Sequence, residues 1–197
     1  LPLPSDPMAA QQWPLLPAPG ANVLPVWASF TGAGVKVAVL ADGVDASHPD
    51  LSGQVSSALG GLVGDGQGRI GTAMAGLVAA ARNGVGMVGV APDATLLSIQ
   101  HAQWGASALG TPSDMAGALQ QGLAADVLLT SWTQDPARVG MDQLAFYDNF
   151  TDPSMKPVQQ ALQSLAVLGR GGLGTVIVQG QGSSFTSTDS NLFSLQN

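Results

Sequence analysis

A β-branched apolar run, Val35 to Leu40, breaks off into the polar turn Asp42-Gly43-Val44-Asp45. A strand that is apolar on both faces is buried on both faces, which is the habit of parallel sheets. A polar, glycine-containing turn at its carboxyl end is how such a strand presents side chains to a site. Three later runs read the same way: Thr95 to Gln100, Asp126 to Trp132 and Gly174 to Gln179. Helical segments alternate with them. One runs from Ile70 to Ala81 and ends at Asn83-Gly84 through a left-handed cap. A second is capped by Ser113 and runs to about Ala124, with Asp114 favourable in its first turn. A third starts near Pro157 and ends at Gly171-Gly172. This alternation predicts an α/β fold with a doubly wound, mostly parallel sheet. Its chemistry belongs at the strand ends: Ala41-Asp42, Gln100-His101, Trp132-Thr133 and Gln179-Gly180.

The 197 residues suit one domain with a substantial core. Residues 1–20 hold six prolines and predict an extended segment lying on the surface, so residues 1–30 read as an amino-terminal arm. Trp13 and Trp27 read as anchoring aromatics within it. A net charge of -7, with six basic residues in all, argues against a nucleic-acid partner and an anionic membrane surface. The chain has no cysteine, which excludes disulfides, thiolate metal sites and a thiol nucleophile. No apolar run reaches membrane-spanning length. The start, Leu1 to Pro7, lacks the basic end and apolar stretch of a signal peptide, and a first residue that is Leu reads as a processed or trimmed chain.

Several blocks, in order, resemble the subtilisin/kexin family of serine proteases. Gly32 to Leu51 is similar to the family's first catalytic block. Ser5 to Leu15, with its Asp-Pro and Gln-Trp, resembles the kexin-type amino-terminal signature. Ile70 to Ala80 resembles the helix that normally opens His-Gly-Thr, and Asn83 to Leu96 the segment after it. Leu128 to Trp132 resembles the substrate-lining strand, and Gly169 to Ser184 the run that ends in Ala-Ser-Gly-Asn. The resemblance implies a subtilisin-like fold, of which residues 1–197 are the amino-terminal part, without the serine-bearing part.

The catalytic positions depart from the family. Ala41 stands for the acid, Ile70 for the imidazole and Ser183 for the oxyanion asparagine, and a Gly-Thr-Ser nucleophile block is absent from the chain. A triad needs an acid to orient the imidazole and an imidazole to take the serine proton. Asp42 lies one residue on and, by strand alternation, faces the other way. Family members carry an Asp there besides the catalytic one. His48 belongs to a His-Pro-Asp-Leu turn that is structural in the family, and His101 reads as a satisfied histidine at a strand end. The expected function is a catalytically inactive binding or scaffold domain. The alternative is a serine endopeptidase whose catalytic groups are completed by another segment or chain.

The resemblance also implies a structural Ca²⁺ that ties the arm to the core. The matching positions are Asp6, Asp50 and Asn83, with the carbonyls of Ala80, Val85 and Met87, an oxygen set that suits calcium. It implies an extended-peptide groove at Ser131, Trp132, Thr133 and Gln134. The expected partner is a peptide or protein segment, either a missing carboxyl-terminal part or a second chain, and the expected location is secreted, periplasmic or at the cell surface.

Overall fold

The computed structural model describes residues 2–56, 69–100, 112–130 and 153–180. Four strands, β1 (Lys36–Ala41), β2 (Thr95–Gln100), β3 (Val127–Thr130) and β4 (Val176–Gln179), form one parallel sheet in the order β2-β1-β3-β4. The register sets Leu40 beside Ile99 and Thr130, and Leu129 beside Val178. The central place of β1 explains its burial on both faces. Among the described residues three helices accompany the strands: α1 (Arg69–Ala79), α2 (Pro112–Gln121) and α3 (Lys156–Gly172).

Alternation along β1 divides the core. Ala38 and Leu40 join Leu97, Ile99, Leu128 and the inner sides of α2 and α3, among them Met115, Leu119, Val158 and Leu165. Val37, Val39 and Ala41 join Leu96, Val44, Leu51 and the small residues Ala75 and Ala79 of α1. The small residues of α1 allow this close approach: a Cβ on Gly71 would overlap the Gly43 carbonyl oxygen.

The boundaries differ from the sequence reading for physical reasons. Helix α1 stops at Ala79, short of the expected Ala81, because the Ala81 amide is captured by the Asp50 carbonyl at 2.8 Å. The returning segment closes the helix end instead of Asn83-Gly84. Gly89, Val90 and Ala91 donate to the carbonyls of Ala80, Leu77 and Val78. Helix α2 already includes Pro112, so Ser113 lies in the first turn and is not its cap, and residues 122–124 continue as a single 3-10 turn. Helical backbone in α3 breaks at Gly169 to Gly171, and Arg170 and Gly171 have positive φ. Strand β4 begins at Val176 because the Thr175 amide bonds back to Leu165 O.

The arm is not an extended surface segment. Ala9–Gln11, Trp13–Leu15 and Val26–Ala28 are 3-10 turns, and Ala9, Leu15, Val23 and Trp27 enclose Val88 in a small core of their own. Proline here shapes tight turns whose apolar sides fold inward. Trp27 is buried and its indole N–H donates to Val90 O at 2.8 Å. Trp13, expected to anchor, is 62% exposed. The anchor at that place is its neighbour Gln12, whose side chain both donates to and accepts from the Val88 backbone at 2.8 Å.

Candidate functional site

Strand β1 delivers Ala41 to its carboxyl end, where the methyl group lies against α1, 3.3 Å from where a Cβ on Gly71 would be. Ile70, half-buried, precedes Gly71 on the first turn of α1. Ala41 and Ile70 therefore lie near one another, where the end of β1 meets the start of α1. A methyl and a sec-butyl group neither ionise nor hydrogen-bond.

The neighbouring carboxylate is already committed. Asp42 Oδ1 accepts the Gly71 amide at 2.7 Å, and Oδ2 accepts those of Arg69 and Ile70 at 3.1 and 3.2 Å. Asp42 thus caps α1, meeting donors that the first helical turn leaves free and the positive end of the helix dipole. The turn that follows is held equally well. Val44 N donates to Ser98 Oγ at 3.1 Å and Asp45 N to Thr72 Oγ1 at 2.9 Å. The Ser47 hydroxyl and amide both donate to Asp45 Oδ1, and these bonds hold the Asp45 carboxyl below the usual carboxylate range. His48 accepts the Asp50 amide through Nδ1, which agrees with a structural histidine.

The expected calcium positions gather around residues 83–88, which are gripped from two sides. Asp6, buried, accepts the amides of Asn83 and Gly84 at 3.1 and 3.0 Å. Met8 N donates to Gly86 O at 2.9 Å, and Gln12 holds Val88. From the core side, Asp50 Oδ2 accepts the Met87 amide at 3.0 Å. Asp50 Oδ1 is buried with no hydrogen-bond partner. An ionised carboxylate oxygen left so is costly unless a cation meets it. Gly86, at φ +53°, lies so close that any Cβ there would strike the Asp50 carboxylate.

These features fit an oxygen-coordinated ion at Asp50 and Asp6. Two of the other expected ligands already have duties. Asn83 is exposed, with Oδ1 accepting from Val85 N and Nδ2 donating to Pro49 O, and Ala80 O accepts from Gly89 N. Val85 and Met87 lie in the same loop. Among the described residues no group of three or more His, Cys, Asp or Glu side chains is placed to hold a metal. Beside Asp50 a cleft of about 360 Å³ opens between the 45–51 turn and α1, lined also by Asp45, His48, Arg69, Thr72 and Met87. Ser131, Trp132, Thr133, Gln134, Ser183 and His101 lie outside the described residues.

Sequence reasoning missed the Gln12–Val88 pairing and the cap made by Asp42. The first had a signal in the Gln-Trp pair of the arm. The second had no local signal, because the partners lie 27 to 29 residues apart in sequence.

The subtilase family model matches residues 32–191. Rat furin is 30% identical over 207 residues, covering 95% of this chain and 24% of furin. An alkaline protease of Alkalihalobacillus alcalophilus is 44% identical over 94 residues, covering 46% of this chain and 24% of that protein. The chain therefore spans about a quarter of the length of these relatives. Among solved structures, the serine protease of Aeromonas sobria in complex with its chaperone ORF2 superposes with a TM-score of 0.68 at 22% identity, over 89% of this chain and 32% of that one. Fervidolysin from Fervidobacterium pennivorans, a keratinolytic enzyme related to subtilisin, gives 0.64 at 22% identity, over 94% and 26%. At these identities the superpositions establish the fold alone. The family model covers most of the chain, and the chain belongs to the subtilase family.

Proposed function

We infer that this chain is a non-catalytic subtilase domain that holds a polypeptide segment instead of cutting one. The observation that carries the reading is the junction of β1 and α1. Ala41 ends β1 and Ile70 lies on the first turn of α1 nearby, at the positions that the resemblance assigns to the family's acid and imidazole, and the carboxylate beside them has both oxygens engaged by helix amides. Without an acid and an imidazole, a serine from any source has no base to take its proton, and losing even one member of a triad costs orders of magnitude in rate.

Binding is the use left to the fold. A peptide lying along residues 131–134 would add to the sheet as an extended strand. That one relative was solved with a chaperone bound supports a protein partner. A calcium ion held by Asp6 and Asp50, with Asn83 and the carbonyls of Ala80, Val85 and Met87, would supply positive charge to the buried carboxylates and fasten the arm to the core. The unpartnered Asp50 Oδ1 supports it. Export to a secreted, periplasmic or cell-surface location belongs to the same reading. Among the described residues no helix is long and apolar enough to cross a membrane.

The test uses a fluorophosphonate serine-hydrolase probe, fluorogenic peptides, and calorimetry with a panel of extended apolar peptides. The expected result is no labelling, no turnover and saturable binding of one peptide class. Labelling at a serine together with turnover would establish the alternative, a serine endopeptidase completed by another segment or chain. Absence of binding by every peptide would remove the binding role.

A further inference from the structure

Asn83 is followed by Gly84, whereas Asn22, Asn149 and Asn191 are followed by valine, phenylalanine and leucine. An asparagine carboxamide can cyclise onto the next backbone nitrogen, and a glycine there puts no Cβ in the way. Asn83 and Gly84 are both exposed, so water reaches the pair. The fold nevertheless holds every group that this reaction must move. Asn83 Oδ1 accepts from Val85 N at 2.9 Å, and Nδ2 donates to Pro49 O at 3.1 Å. Gly84 N, the nitrogen that would attack, donates to Asp6 Oδ1 at 3.0 Å, and Asn83 N donates to the same oxygen at 3.1 Å. Two successive amides converging on one carboxylate oxygen make a nest for an anion. That carboxylate is buried and belongs to the arm, whose core gathers around Val88.

We propose that Asn83 is a deamidation site that the seated arm keeps locked, and that release of the arm opens it to a one-way change. Attack requires the Asn83 carboxamide to turn its carbon onto Gly84 N in an aligned approach, and the bonds to Val85, Pro49 and Asp6 all resist that turn. When the arm lifts, Asp6 leaves with it. Gly84 N then bonds to Asn83 Cγ, the Cγ–Nδ2 bond breaks, and ammonia departs with the proton from Gly84 N. Water opens the resulting five-membered imide at one carbonyl to give aspartate at position 83, or at the other to give isoaspartate. No group is oxidised or reduced. In isoaspartate the main chain runs through Cβ and Cγ, so one more methylene separates the two amides and they no longer converge on one oxygen of Asp6. Either product lacks the Nδ2 donor to Pro49 O. The arm therefore cannot return to its former seat. This site stands apart from the triad positions and does not depend on how they are read.

Ageing the purified protein at mildly alkaline pH, with a chelator so that the hydrogen bonds alone hold the loop, tests it. Peptide mapping by mass spectrometry and isoaspartate-specific methyl transfer read position 83. Folded wild type is expected to keep Asn83 while the urea-unfolded chain loses it. A slow reaction from an opened state follows the opened fraction, so Gln12→Ala, which loosens the arm from Val88, is expected to deamidate about 30-fold faster than wild type. Asp6→Ala, which removes the nest's anion, is expected to deamidate faster as well. Circular dichroism reports whether each variant keeps its sheet, and either one that does carries the test. Wild type deamidated in urea and refolded is expected to be cut by chymotrypsin after Trp27, whereas fresh protein unfolded briefly and refolded resists. Deamidation of folded wild type as fast as in urea would overturn the lock. A wild-type rate in folded Gln12→Ala and Asp6→Ala would overturn the arm's part in it. Asn83 that survives in urea would remove the chemistry. Equal resistance of deamidated and fresh refolded protein would overturn the one-way change.

Discussion

Asp42 Oδ1 accepts the Gly71 amide at 2.7 Å, and with Oδ2 on Arg69 and Ile70 it fastens the end of β1 to the start of α1. The bond makes Asp42 a structural acid, and its removal is expected to show in stability. Asp42→Ala leaves three amides without their acceptor and should cost about 2 kcal/mol. For a chain of this length that lowers Tm by about 4–8 °C. Asp42→Asn keeps one acceptor oxygen and should lose less. Thermal unfolding followed by circular dichroism measures both, and equal Tm values for wild type and Asp42→Ala would refute the capping role.

Gln12 grips Val88 as a neighbouring strand would, through one donated and one accepted bond, both 2.8 Å. Val88 is fully buried. Gln12→Ala would therefore leave a buried N–H and a buried C=O unpaired, at a cost of about 2–3 kcal/mol. The arm's core is separate from the sheet's two clusters, so the loss should fall on the arm. Chymotrypsin is expected to cut after Trp27, which is buried in the arm's core, much faster in the variant, while the sheet domain resists. Unchanged cleavage would show that Gln12 is not the anchor.

Asp45 supplies a pH dependence of definite sign. Its pKa lies below the ordinary 3.8, first because of the Ser47 hydroxyl and then because of the Ser47 amide. A depressed folded pKa contributes stability above the unfolded value, and that stability is lost as pH falls through the folded one. Ser47→Ala removes the larger cause. At neutral pH it should be slightly less stable than wild type, and the difference should fade as pH falls below about 4. Urea unfolding at a series of pH values reads this. A difference that persists unchanged at pH 2 would assign the effect to something other than ionisation.

The sheet was legible for one reason. Val35 to Leu40 and Thr95 to Gln100 are short apolar runs bounded by polar turns, and parallel burial leaves few other interpretations. Ala41 is found by counting to the end of the first run, whereas Ile70 was singled out by the resemblance alone. Features that depend on contacts distant in sequence were not legible. Nothing local in Ala80-Ala81 ends a helix; the Asp50 carbonyl, some thirty residues earlier, does so. The prolines of the arm suggested an extended chain because proline fixes φ without saying whether successive turns fold back. The inward packing of Leu15 and Trp27 on Val88 decides that. Trp13 and Gln12 reversed roles for a related reason. A glutamine that matches a backbone donor and acceptor holds a buried edge that an indole cannot satisfy.

Gly84 and Gly86 separate backbone strain from ion binding. Both have positive φ, +78° and +53°, so alanine at either costs about 1 kcal/mol in backbone conformation. Their surroundings differ. A Cβ on Gly84 would meet only Ser5 Oγ, at 3.8 Å, whereas a Cβ on Gly86 would strike both carboxylate oxygens of Asp50. Gly86→Ala must therefore move the carboxylate that holds the unpartnered Oδ1. Calorimetry with calcium chloride is expected to show binding to wild type and Gly84→Ala, and its loss in Gly86→Ala and Asp50→Ala. At calcium about 100-fold above Kd, wild type and Gly84→Ala should each gain about 2.7 kcal/mol, and the other two should gain little. Calcium binding that survives in Asp50→Ala would remove the ion from this loop. Binding that survives in Gly86→Ala alone would show that the carboxylate can shift and still serve.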